Sequence, residues 1–184
     1  MHRPRAAVSR TRGDWERIIV GGLFAGFGGG LTTLAHEVAR SWFGGVDPWI
    51  GFEMVLDPLV PASMLSPGFD AATVLGLGVH LWLSALFGLT FAVASFELTR
   101  SASLPMGAFL GIAFWFLLHE GLLPAQEVLL FAETPQPAIE MLDHLLAGIV
   151  VAILYMPFQR DGWAGSHGWA SERILVPDGG ASQS

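Results

Sequence analysis

Four histidines mark where this chain could do chemistry: His36, His80, His119 and His144, one in each of four long apolar segments. Carboxylates accompany them. Glu37 follows His36, Glu120 follows His119, Asp143 precedes His144, and Glu140 stands one helical turn before His144, where it could hydrogen-bond the imidazole. Imidazole changes charge near neutral pH and is a common metal ligand. Ionisable groups inside a membrane are costly and usually face a protein interior, a cavity or one another.

Three chemistries fit this pattern. Neutral imidazoles can hydrogen-bond across helices and fix the register of a bundle. They can bind a divalent metal or haem, with the carboxylates orienting the ligands. They can also titrate, and so respond to protons or move them. No segment carries two histidines spaced to hold two stacked haems between the same pair of helices.

Other chemistries find no support. Cysteine is absent, which excludes disulfides, thiolate metal sites and thiol catalysis. Gly28-Gly29-Gly30 is no phosphate loop, since no strand precedes it and no Gly-Lys-Ser follows. No serine stands in a nucleophile-elbow sequence. An enzymatic role is therefore not expected.

The elements that carry the histidines are apolar. Hydrophobic residues make up 52% of the 184 and charged residues 14%, with 23 glycines and seven tryptophans, a usage that suits packed transmembrane helices and their interfaces. The segments fall at 18–38, 71–96, 105–123 and 137–157. Each is near the ~20 residues that a helix needs to cross a ~30 Å hydrocarbon core. Pro105 and Pro137 are expected helix starts and Pro157 a stop. Residues 1–17 read as a basic tail, and 159–184 as a polar, glycine-rich one. The outer loop 44–70 contains an apolar stretch, 49–61, broken by Glu53, Asp57 and Pro58; it is too interrupted to span and is expected at the interface.

The fold class expected is an all-α integral membrane bundle of four transmembrane helices. The net charge is −7, yet its distribution says more than its sum. With the N-terminus inside, eight of nine arginines fall on the inner side and only Arg40 outside, so both termini are expected in the cytoplasm. The arginines are explained by topology and anionic lipid headgroups, without a nucleic-acid partner. At ~1.5 Å per residue from the inner ends, all four histidines fall in the outer half of the bilayer, roughly 20–27 Å up. His80 and His144 are expected to face each other's helices.

Small residues supply the close contacts that hold helices together in lipid. Gly22, Gly26 and Gly30 line the first segment; Ser84, Gly88 and Ala92 the second; Gly107 and Gly111 the third; Gly148 and Ala152 the fourth.

Over roughly residues 70–158 the pattern resembles the YagU-like family of poorly characterised bacterial inner-membrane proteins. The residues concerned are His80-Leu-Trp-Leu-Ser84 with Gly88, then Gly107, Gly111, Trp115, His119 and Pro124, and then Glu140, His144 and Gly148. Residues 44–70 have no counterpart in that pattern. The resemblance implies a multi-pass protein of the bacterial inner membrane, with no known enzymatic activity and a role in acid tolerance.

The expectation is thus a non-enzymatic membrane protein whose outer histidine–carboxylate layer handles protons or responds to pH. No cofactor is favoured. A haem- or metal-binding redox subunit is the alternative, and an accessory subunit or homo-oligomer a third possibility.

Overall fold

A computed structural model describes residues 10–54, 56, 68–118 and 137–160. Among them all regular structure is helical, with five α-helices and no strand: α1 (Arg12–Gly44), α2 (Ile50–Met54), α3 (Ala71–Ser95), α4 (Arg100–Phe116) and α5 (Pro137–Tyr155). A 3-10 turn, Met156–Phe158, follows α5 and contains Pro157, which ends the α-helix there.

The helix ends follow their capping chemistry. α1 begins at Arg12, inside the stretch that reads as a basic tail, because Thr11 and Asp14 form a capping box. It runs on to Gly44 because Gly45, at φ 70°, supplies the left-handed residue that closes it. The carboxylate of Asp70 accepts from the main-chain N–H groups of Ala72 and Thr73 and starts α3. α4 starts at Arg100 rather than at Pro105, since the hydroxyl of Thr99 caps it. Pro105 lies inside that helix, where it leaves the Ser101 carbonyl without its helical donor.

Three helices are long and apolar enough to cross a membrane: α1, α3 and the segment 138–158. That is compatible with a membrane protein. α4 has 17 residues, and positions 119–123 of its expected span lie outside the described residues.

Neighbouring long helices run antiparallel. α1 packs on α3 along one flank and on α5 along another, and α4 packs chiefly on α5. The glycines explain how one helix serves two partners. Gly22 and Gly26 lie against Gly88, Ser84 and Ala85 of α3, and a methyl group on Gly26 would run into the Ser84 carbonyl. In the Gly28-Gly29-Gly30 run, Gly28 and Gly29 accept Leu154 and Val151 of α5, while Gly30 accepts Ser84 of α3. Gly107 and Gly111 meet Gly148 and the main chain of His144, so α4 and α5 touch backbone to backbone.

Aromatic side chains fill the middle of the bundle. Phe91 and Tyr155 are fully buried and meet edge to face at 5.8 Å, and Phe87 of α3 lies 5.3 Å from Phe114 of α4. The opposite surface is apolar too: Val20, Phe24, Leu31, Trp82, Phe109 and Ile153 all point outward, as a lipid-facing surface requires.

Candidate functional site

The described histidines of the helices lie toward the end of the bundle where α1 finishes and α3 and α5 begin. His36 Nδ1 of α1 lies 3.1 Å from Asp143 Oδ1 of α5, so a titratable pair bridges two long helices. The imidazole is about half exposed and the carboxylate mostly buried. Glu37, Arg40 and His144 are the other charged or titratable groups within reach of Asp143.

One residue on, the Glu37 carboxylate takes both contacts from Arg40, at 2.6 and 2.5 Å. These bonds push the Arg40 guanidinium's pKa above the ordinary arginine value, so it stays charged. Glu37 also lies against Gly51, and thus connects the end of α1 to α2.

His80 of α3 turns to α1. Its Nε2 is 3.1 Å from the Gly30 carbonyl and 3.3 Å from the Thr33 hydroxyl. A carbonyl can only accept, so this nitrogen carries the proton and donates. Thr33 donates in turn to the same carbonyl, at 2.9 Å. The bare Gly30 makes room for Ser84, one turn beyond His80 on α3, and so lets this part of α3 lie close to α1.

His144 behaves differently. Its Nδ1 is 2.9 Å from the main-chain carbonyl of Glu140, and its ring lies 6.3 Å from that of Phe114 in α4. The expectation that His80 and His144 face each other's helices is therefore wrong. α3 and α5 meet at Phe91 and Tyr155, nearer the other end of the bundle, whereas each imidazole turns to a different neighbour. The bond to Glu140 also uses its main-chain oxygen, where the one-turn spacing suggested the carboxylate. His119 and Glu120 lie outside the described residues.

A second polar group fastens α2 to α3. Glu53 of α2 is 1% exposed and accepts from the Thr73 hydroxyl at 3.0 Å. Phe52 and Leu56 are buried beside it, and the Phe52 carbonyl sits on Gly76 of α3. Asp47 closes the loop by accepting from the N–H groups of Trp49, at 3.0 Å, and Gly68, at 2.5 Å. Sequence reasoning missed Thr33, Asp47, Glu53 and Thr73 as members of this layer. The Asp70–Thr73 spacing was a readable cap signal, and Glu37–Arg40 a readable helical pair. Nothing in the local sequence marks Glu53 as buried.

Among the described residues no three histidines or carboxylates converge as a metal site. What the layer can do is change its charge where helices meet. His36 ties α1 to α5, His80 ties α3 to α1, and Glu53 ties α2 to α3. No family model, curated protein or solved structure matches the chain.

Proposed function

We propose that this chain is a four-helix, N-in/C-in membrane protein whose outer polar layer alters helix contacts in response to pH. The observation that carries the reading is the His36–Asp143 bridge between α1 and α5. With the ring neutral it is a hydrogen bond to a carboxylate. Protonation of an imidazole, which falls between pH 5 and 8 for this side chain type, turns it into an ion pair. The α1–α5 contact thus tightens as the outer compartment acidifies, and it weakens again once the carboxylate itself is protonated.

Two features support orientation and mode. Arg10, Arg12, Arg17, Arg100 and Arg160 share one end of the bundle, and Arg40 stands at the other, an asymmetry that supports reading the histidine layer as the outer one. Phe87, Phe91 and Phe114 fill the space between the two ends, which favours a responding layer over a conducting path. The bacterial inner membrane is the setting that the YagU-like resemblance implies, and acid tolerance the process.

The test is thermal unfolding of the detergent-solubilised protein at pH 8 and pH 5.5. The wild type should gain about 0.5–1 kcal/mol at the lower pH, the range of a partly exposed ion pair. His36→Gln and Asp143→Asn should each abolish that gain. A gain that survives in both variants would remove the bridge as the responding element.

A further inference from the structure

At the opposite end of the bundle, the buried polar groups are of another kind. Gln159, just past the 3-10 turn, donates through Nε2 to the Ser95 carbonyl at 3.0 Å and to the Ser103 hydroxyl. Ser103 passes its own proton to the Thr99 carbonyl, at 3.1 Å. One amide thereby joins the end of α3 to the start of α4, and the Arg160 N–H, bonded to the Phe96 carbonyl at 3.1 Å, holds the chain there.

Three oxygens in this region lack a protein partner among the described residues: Ser95 Oγ, Tyr155 OH and Gln159 Oε1. All three residues are deeply buried, at 0%, 0% and 6% exposure. They lie on neighbouring turns. Ser95 is one turn beyond Phe91 on α3, Gln159 is four residues beyond Tyr155, and the rings of Phe91 and Tyr155 are in contact. Buried polar atoms are rarely left unpaired, and several of them together form the surroundings in which internal water is found.

We infer that a buried water molecule is bound here, held by Ser95, Tyr155 and Gln159. The donor and acceptor chemistry closes. The tyrosine and serine hydroxyls donate to the water, and the water donates to Gln159 Oε1, which gives three bonds, the usual number for an internal water. A cation is the wrong ligand, because no carboxylate belongs to the cluster and the charge that reaches Tyr155 is the positive one of Arg10. The inference is independent of the pH response proposed for the outer layer.

Radiolytic hydroxyl-radical footprinting of the full chain in detergent tests it, because bound water delivers radicals to side chains that bulk solvent does not reach. Tyr155 should be oxidised several-fold faster than Phe91, its equally buried neighbour, and Ser95→Ala should bring Tyr155 down to the Phe91 rate. Labelling of Tyr155 at the Phe91 rate in the wild type overturns the proposal. So does strong labelling that Ser95→Ala leaves unchanged, since the water would then not be held by this cluster. Thermal unfolding of Tyr155→Phe gives a second reading that does not depend on the serine variant. Loss of a water-bonded hydroxyl lowers Tm, whereas loss of an unpaired one leaves Tm unchanged or raises it, which would also overturn the proposal.

Discussion

The two ends of this bundle use polar residues of different chemistry. At the end where α1 finishes, the contacts between helices run through histidines and carboxylates: His36 with Asp143, His80 with the Gly30 carbonyl, and Glu53 with Thr73. At the opposite end the buried links are Ser95, Ser103 and Gln159, with Tyr155 buried beside them, and none of these changes charge between pH 5 and 8. Ion pairs exist there too, Arg10 with the exposed Glu97 at 3.8 Å and Arg160 with the buried Asp14 at 3.9 Å.

The largest effect that would sharpen this contrast is expected at Gln159. Gln159→Leu removes the amide that serves both the Ser95 carbonyl and Ser103, and should destabilise the protein by about 2–3 kcal/mol. That loss should be equal at pH 5.5 and pH 8 in thermal unfolding; a loss that varies with pH would break the comparison. Next comes Thr73→Val, which takes the hydroxyl from the buried Glu53 carboxylate and should cost about 1–3 kcal/mol. Hydrogen exchange should show the loss at α2 and the start of α3, with the Gln159 region unaffected.

A smaller effect belongs to the helix bridge. A double-mutant cycle with His36→Gln and Asp143→Asn should give a coupling of about 0.5–1 kcal/mol at pH 5.5, and less at pH 8. The smallest is at Asp14, which tests whether the end where α1 begins takes part in any acid response. Hydrogen bonds from Thr11 hold its carboxyl below the ordinary value of 3.8. A depressed carboxylate adds stability above its unfolded pKa and loses it as pH falls through the folded one. Asp14→Asn should therefore lower Tm slightly at neutral pH, and the difference should vanish in strong acid, well below the range where the histidines act.

How much of this was legible depended on how local each signal was. The second apolar segment was read almost to the residue, 71–96 against Ala71–Ser95, since Asp70 caps it and its apolar run is unbroken. The ends of α1 were read short, because apolar length marks the bilayer and not the capping box at Thr11 or the left-handed Gly45. Pro105 was read as a start, although Thr99, a better cap, lay just before it. At the polar layer, His36, Glu37, His80, Asp143 and His144 were all named in advance, but not which of them would meet. Helix periodicity gives a face to each residue and leaves open which neighbour stands there.

What the sequence by itself determined is the helical, apolar character of the chain, the one-sided arginines, and the small-residue stripes on each segment. These follow from composition and from periodicity within single helices. The tertiary structure alone decided that α1 packs on α3 with one flank and on α5 with another, because the two flanks of its glycine run receive different helices. From that placement come the His36–Asp143 bridge, the turn of His80 toward Gly30, and the separation of His80 from His144. Burial of Glu53 was likewise decided by how α2 settles on Gly76, a contact between parts of the chain that no local pattern connects.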